Sequence, residues 1–334
     1  MPLIETSSLP TRPPGRILVF GATGTIGRAT VAELRARGHH VVGIVRSTDS
    51  QGPNFLLNPG TDFRAADVGN PRSLDAAIGE DRFDAVISCL ASRTGAPEDA
   101  WKIDHAAQLN VLAASRRAAI PHFILLSAIC VQKPLLAFQH AKLAFEKALI
   151  ESGITYSIVR PTAFFKSLSG QVERVRQGKP FLLFGDGKLT ACKPISDHDL
   201  AAYLVDCISD EGRKNQILPI GGPGEAITPL QQGEYLFNLF GKTPKYRRVP
   251  VALLDTIIRT LDIAGKVIPS LADKAEFARI GRYYATESML VWNAAAGTYD
   301  ADATPSTGSE TLFEYYRKVS RGEERAERGD HAVF

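Results

Sequence analysis

The stretch that most constrains the fold runs from Arg16 to Arg46, RILVFGATGTIGRATVAELRARGHHVVGIVR. Ile17, Leu18, Val19 and Phe20 form a short apolar run that reads as a buried strand, and a glycine-rich turn follows it. A helical pattern comes next, with apolar Ile26, Val31 and Leu34 set against polar Arg28, Glu33, Arg35 and Arg37, and Gly38 ends it. Val41 to Val45 then read as a second buried strand. A strand–turn–helix–strand unit of this length is the context in which a glycine triplet signifies a bound dinucleotide. The glycines allow a tight turn and close backbone approach to a pyrophosphate, whose charge sits on the helix N-terminus. Gly21, Thr23, Gly24, Thr25, Ile26, Gly27 and Arg28 are the expected cradle.

The spacing Gly21-x-x-Gly24-x-x-Gly27 resembles the variant found in the short-chain dehydrogenase/reductase superfamily. The end of the second strand indicates which dinucleotide is bound. Selection of NAD calls for an acid there to bind the ribose 2′-hydroxyl, but the position holds Arg46, and no carboxylate comes before Asp49. A guanidinium complements a 2′-phosphate by paired, charge-assisted hydrogen bonds. NADPH is therefore the expected cofactor, with Arg28 as a second candidate for that phosphate.

With 334 residues, the chain is long enough for one substantial domain and an appended smaller one. A net charge of +3 does not argue for nucleic acid. The four cysteines (Cys89, Cys130, Cys192 and Cys207) form no C-x-x-C pair, and the histidines do not cluster, so neither a disulfide framework nor a metal site is expected. No apolar run of spanning length exists, and residues 1–15 read as a flexible, proline-punctuated lead-in rather than a signal or transit peptide. These features point to a bacterial cytoplasmic protein.

Beyond Arg46, strands are expected near Asp62–Ala65, Phe83–Ser88, Phe123–Ser127 and Thr155–Val159. They alternate with helices Pro71–Ile78 (capped by Asn70), Pro97 to about Ala118, and Phe138–Glu151. Such alternation means a Rossmann-type, doubly wound parallel sheet. Asp67, Val68 and Cys89 follow the third and fourth strands as expected cofactor contacts, as does Pro161 after the last. The Rossmann domain is expected to span 16–227, with 163–195 leaning toward the substrate side and including a further strand at Gln216–Ile220. A smaller, interleaved substrate-side domain at 228–320 opens on a capping box at Thr228, and a charged, disordered tail covers 321–334. Val251–Val267 read as an amphipathic helix. Such a helix ordinarily packs on its own protein, the alternatives being a membrane surface or a hydrophobic substrate.

Short-chain reductases pair a serine after the fifth strand with Tyr-x-x-x-Lys on the next helix. Ser127 and Lys142 match that pattern, but the tyrosine position holds Phe138, which cannot transfer a proton. Carbonyl reduction concentrates charge on one oxygen and needs an acid beside it. Reduction of a double bond conjugated to a large π system can spread that charge instead and take its proton from a weak acid or water.

Five segments carry a closer resemblance: AICVQKPLLAFQHAKLAFE (128–146), SIVRPTAFFKSLSGQVERV (157–175), FGDGKLTACKPISDHDLAAY (184–203), NQILPIGGPGEAITPLQQGE (215–234) and EFARIGRYYATESM (276–289). In these the chain resembles the divinyl chlorophyllide 8-vinyl reductases, atypical members of the superfamily acting in chlorophyll and bacteriochlorophyll biosynthesis. The resemblance implies NADPH as donor, a magnesium tetrapyrrole with two vinyl groups as acceptor, and conversion of the 8-vinyl group to ethyl. Phe138 agrees with that family. Lys142 and Ser127 are the expected catalytic pair, with Lys142 also holding the nicotinamide ribose, and Tyr283 and Tyr284 are candidate proton donors. Phe138, Phe164, Phe165 and Phe184, with Phe181, are candidates to line a flat apolar slot for the macrocycle. Lys166, Lys188, Lys193 and Arg282 are candidates to meet its carboxylate. The rival readings are an NADPH-binding redox sensor without turnover and an isoflavone-reductase-like double-bond reductase.

Overall fold

The computed structural model describes residues 14–46, 60–266, 268 and 270–324; Ser47 to Asp49 lie outside them, as do most of the N-terminal lead-in and the last ten residues of the tail. A seven-stranded sheet dominates. Its strands are β1 (Arg16–Phe20), β2 (His40–Val45), β3 (Asp62–Ala65), β4 (Ala85–Ser88), β5 (His122–Leu126), β6 (Thr155–Pro161) and, after β7 (Phe181–Phe184) outside it, β8 (Gln216–Ile220). The order is β3-β2-β1-β4-β5-β6-β8, and every neighbouring pair is parallel. Such a sheet must be covered on both faces. Alternate residues of β1 show how this is done. Leu18 and Phe20 join a core with Leu74, Val111 and Phe145, whereas Ile17 and Val19 face Val31, Leu34, Leu200 and Leu204.

The first face is covered by α2 (Pro71–Ile78), by the helical run made of α3 (Pro97–Ala100), a π turn at Trp101–Ala107 and α4 (Gln108–Arg117), and by α5 (Ala137–Glu151); the other face is covered by α1 (Thr25–Ala36) and α8 (Asp197–Asp206). Asn70 caps α2 as expected, its side chain accepting from the N–H groups of Arg72 and Ser73. The fourth strand begins two residues later than expected; at its margin the Asp84 side chain accepts from the Arg16 N–H at 2.8 Å while the Asp84 N–H donates to the Arg16 carbonyl at 2.9 Å. The long helix after Pro97 is continuous but contains the π turn, which rotates the later turns relative to a regular helix.

Outside the sheet lie α6 (Phe165–Leu168), α7 (Val172–Arg176), α9 (Pro229–Leu239), β9 (Tyr246–Val249), α10 (Val251–Gly265), α11 (Ser270–Thr286), the hairpin β10 (Val291–Asn293) and β11 (Thr298–Asp300), and α12 (Leu312–Arg321). β7 pairs in parallel with β9, and single bridges join Phe164 to Ile195 and Cys192 to both Ile227 and Met289. Segments far apart in sequence are thereby stitched over the carboxyl edge of the sheet. Tyr316, fully buried, donates to the Leu168 carbonyl at 2.8 Å and ties α12 to α6.

The amphipathic helix departs from the ordinary expectation. α10 packs against α11, yet none of its residues is buried, and Leu253 and Ile263 are 50% and 70% exposed. One neighbouring helix covers only one side of it.

The capping box at Thr228 starts α9 as the sequence indicates, with Thr228 Oγ1 accepting from the Gln231 N–H and Gln231 Oε1 accepting from the Thr228 N–H at 2.8 Å. Thr228→Ala is expected to lower the unfolding free energy by about 1 kcal/mol in denaturant titration while leaving NADPH affinity unchanged.

Candidate active site

The carboxyl ends of β1 to β6 place Gly21, Arg46, Ala66, Cys89, Ser127 and Thr162 along one edge of the sheet. The crevice beside β1 and β4, where the strand order reverses, is where an open α/β sheet takes a dinucleotide. The glycines fit that use. Gly21 has φ +71°, and a side chain there would meet the Cys89 carbonyl; a Cβ on Gly27 would lie 2.0 Å from the Gly21 oxygen. Gly24 begins α1 without a side-chain cap, so the first-turn N–H groups stay available to an anion. The arrangement therefore fits the pyrophosphate of a dinucleotide. Arg28 Nη1 donates to the Thr23 carbonyl at 3.0 Å, Arg46 is exposed at the end of β2, and the Asp67 side chain folds back on the Gly69 N–H at 2.8 Å. The Val68 carbonyl accepts from Asn110 at 3.0 Å.

A cavity of about 350 Å³ opens beyond that crevice, between the sheet edge and the stitched layer. Lys142 lies on it, its ammonium 2.9 Å from Asp104 Oδ1. The Asp104 side chain is wholly buried, and its Oδ1 also accepts from the Ser92 N–H at 3.3 Å. A π turn widens the helix by a residue, and here it carries the carboxylate that meets the lysine. Phe138, one helical turn before Lys142, also lines the cavity, so the tyrosine position of the superfamily faces it with a bare phenyl ring.

Ser127 lines the cavity too, but its hydroxyl donates to buried Glu146 at 2.5 Å, and that carboxylate is paired with Arg160 of β6. The serine proton is engaged in fastening β5 and β6 to α5.

The two tyrosines diverge. Tyr283 is buried, and its hydroxyl donates to the carbonyls of Cys130 (2.9 Å) and Lys133 (3.2 Å), away from the cavity lining. That corrects its expected role as proton donor: it anchors α11 to the loop after β5. Tyr284 lines the cavity, with its ring nearly perpendicular to that of Tyr283 at 5.7 Å. Burial of its hydroxyl end, with the Cys130 thiol and Tyr283 adding to the effect, holds the Tyr284 phenol well above the ordinary range, so it stays protonated.

Of the phenylalanines, Phe138, Phe164, Phe181 and Phe184 line the cavity. Phe165 does not; it is buried among Val172, Leu236 and Tyr316, with its ring 5.4 Å from that of Tyr315. Phe164 is extended while Phe165 is the first helical residue, which sends neighbouring side chains to opposite sides. Three of the four cations expected to meet a carboxylate are engaged by other groups. Lys166 donates to Thr25 Oγ1 at 3.1 Å, Lys193 donates to the Thr304 carbonyl at 3.0 Å, Arg282 pairs with Asp255 of α10, and Lys188 is exposed. Cys89, Cys130 and Cys192 lie at or near the site, all as free thiols. Burial pushes Cys89 and Cys192 up to about 12 and raises Cys130 as well, which keeps them out of nucleophilic chemistry. Pro161 lines the cavity beside Thr162. Among the described residues, no cluster of His, Cys, Asp or Glu is placed to hold a metal ion.

The NAD(P)H-binding family matches residues 21–211. A divinyl chlorophyllide a 8-vinyl-reductase from the chloroplast of Cucumis sativus is 51% identical over 95% of this chain and 79% of its own length. Chloroplast proteins of the same name from Oryza sativa subsp. indica and Arabidopsis thaliana are 50% and 49% identical, covering 95% and 91% of this chain and 82% and 76% of their own lengths. This chain belongs to the divinyl chlorophyllide a 8-vinyl-reductase family. It is an NADPH-dependent oxidoreductase with a Rossmann fold of the short-chain dehydrogenase/reductase type. An NADPH-dependent quinone oxidoreductase of Escherichia coli, solved with NADPH, matches the fold at TM-score 0.66 and 20% identity, over 91% of this chain and 99% of that one. The bacterial cytoplasm expected from the sequence does not stand, since the relatives at about 50% identity are chloroplast proteins of plants. A short N-terminal stretch does not fix a compartment.

Asp104 is not among the residues that the sequence motifs mark. Its signal is an acid in a helical stretch otherwise read for apolar positions, and in the structure Asp104 and Gln108 are buried while Trp101 is 44% exposed. Asp104→Asn is expected to lower turnover at saturating NADPH at least tenfold. It should also cost about 3–5 kcal/mol of stability by leaving a mostly buried ammonium without its counter-charge. Thermal unfolding and steady-state rates measured on the same preparation check both effects.

Proposed function

We propose that the chain reduces the 8-vinyl group of divinyl chlorophyllide, or of divinyl protochlorophyllide, to ethyl. The observation that carries this reading is a fixed cation beside a phenyl ring at the superfamily's tyrosine position: Lys142 held by Asp104, and Phe138 on the cavity one turn away. Membership of the 8-vinyl-reductase family supplies the substrate class, a tetrapyrrole. NADPH supplies the hydride when bound.

The chain's own groups have four tasks. Gly21, Gly24 and Gly27, with the first-turn N–H groups at Thr25 and Ile26, take the pyrophosphate, and Lys166, held at Thr25, adds a cation beside it. Arg46, with Arg28 beyond the last glycine, meets the 2′-phosphate, while Asp67, Val68 and Cys89 flank the adenosine side of the crevice. Lys142 holds the nicotinamide ribose so that the reacting carbons are aligned; small errors of placement are costly in such a step. Phe138, Phe164, Phe181 and Phe184 bound a flat apolar slot in which the macrocycle excludes water from one side.

The balance is one hydride and one proton added across the vinyl group, with NADP⁺ released. Because negative charge from hydride addition spreads over the macrocycle, hydride transfer needs no acid beside the vinyl group, and the proton is added in a later step that any proton source reaching the site can supply. Water meets that need, and Tyr284 puts a protonated phenol on the cavity wall. The magnesium is part of the substrate. Peripheral contact with the membrane that holds such pigments belongs to the same reading. A sensor without turnover and an isoflavone-reductase-like activity are not favoured, because family membership extends over nearly the whole chain.

Turnover of divinyl chlorophyllide, followed as a blue shift of the Soret band at saturating NADPH, tests these assignments. Lys142→Ala should lose most activity. Phe138→Tyr should give no large gain, and Tyr283→Phe should act on stability rather than rate. Tyr284→Phe should retain at least about a tenth of wild-type turnover, whereas a positioned general acid contributes roughly 10²–10⁴-fold. A collapse of that size in Tyr284→Phe, with cofactor binding intact, would identify the phenol as the required acid.

For the cofactor, Arg46→Glu is expected to weaken NADPH binding at least about tenfold more than NADH binding. The variant loses a charge-assisted pair worth roughly 1.5–3 kcal/mol and adds a repelling carboxylate. Calorimetric titration with both dinucleotides checks this; equal weakening would show that Arg46 does not read the 2′-phosphate.

A further inference from the structure

The outward face of α10 has an unusual composition for a surface exposed to water. Ala252, Leu253, Thr256, Ile257, Thr260 and Ile263 are all exposed and recur at the spacing of one helical stripe. Both threonines turn their hydroxyls back into the helix, Thr256 to the Ala252 carbonyl and Thr260 to the Thr256 carbonyl, each at 2.9 Å. Their polar atoms are thus satisfied without water. The two acids of the helix, Asp255 and Asp262, are turned the other way and paired with Arg282 and Arg279 of α11. The remaining charged side chains on the helix and its cap, Arg259 and Lys266, are exposed cations. The chain that leads into α10 adds exposed Lys242, Lys245, Arg247 and Arg248 and contains no acid from Gly241 to Leu254.

We infer that α10 lies flat on an anionic lipid surface, with Leu253, Ile257 and Ile263 in the interface and the basic residues at the headgroups. An apolar stripe flanked by lysine and arginine, on a helix too short to span, is the composition of an interfacial helix. Among the described residues no helix is long and apolar enough to cross a membrane, so the contact is peripheral. Charge selects lipid over a second copy of this chain: two copies meeting through this face would bring their basic segments together.

The position of the surface gives it a use that rests on the proposed reaction. On α11, Ile280 and Tyr284 line the cavity, and Phe277, one turn earlier on the same stripe, is 50% exposed. An apolar track thus runs from the α10–α11 hairpin to the site, suited to a flat, lipid-soluble substrate that never has to enter bulk water.

Co-sedimentation with vesicles of phosphatidylcholine, with and without phosphatidylglycerol, tests the surface directly. The wild-type chain should bind the anionic vesicles. Leu253→Asp combined with Ile257→Asp should weaken that binding at least about tenfold. Arg259→Gln and Lys266→Gln should each weaken it about fivefold. All four positions are exposed, so thermal stability and NADPH affinity should stay at wild-type values. Absence of binding to anionic vesicles, unchanged binding in the double aspartate variant, or conversion of a dimer to a monomer by that variant in vesicle-free buffer would each overturn the inference. Turnover of detergent-dispersed pigment, read in parallel, separates the two claims: its loss with vesicle binding intact sinks the reaction and not the surface.

Discussion

The site depends on a buried ion pair. Asp104 is fully enclosed, and an isolated charge there would be costly; Lys142 and the Ser92 N–H supply its partners. Three elements meet through it: the π turn that carries the carboxylate, the helix α5 that carries the ammonium, and the loop after β4. A second buried group reinforces the same corner, with Glu146 on the Lys142 face of α5 accepting from Ser127 and pairing with Arg160. Both pairs hold α5 rigidly against the sheet edge. The Lys142 ammonium is thus held by a carboxylate that is itself fixed from a second element, a common device in precise sites.

The same rigidity explains how a reductase can lack the superfamily's tyrosine. Phe138 offers an apolar wall, and the cysteines nearby stay protonated because burial raises them. The cavity is therefore built to position a large apolar substrate rather than to stabilise charge on one of its atoms. That division of labour suits a conjugated vinyl group, whose own ring system carries the developing charge, and it would serve a carbonyl poorly.

Much of this was legible in the sequence. The strand Ile17–Phe20, the glycine spacing and the helix after it gave the sheet and the dinucleotide crevice because local periodicity and turn chemistry act there together. Lys142, Ser127 and Phe138 were identifiable from one spacing, and all three line the cavity. The features that were not legible depend on tertiary register. A single π turn exposes Trp101 and buries Asp104. Adjacent residues separate in the same way: Phe164 and Tyr284 face the cavity while Phe165 and Tyr283 enter the core, a choice set by where a helix begins and which carbonyls it meets. Three of the cations expected at the substrate carboxylate, Lys166, Lys193 and Arg282, have partners too distant in sequence for spacing to suggest.

The central claim is that this cavity performs hydride reduction of a vinyl group with a solvent-derived proton. Isotope tracing by mass spectrometry tests it most directly, using purified protein, divinyl chlorophyllide and either ordinary NADPH in heavy water or NADPH deuterated at both C4 positions in ordinary water. The account predicts that each arrangement leaves one carbon-bound deuterium in the new ethyl group, for one NADPH consumed per pigment. NADPH bound with the pigment unchanged, or a product carrying no deuterium from the cofactor, would contradict it.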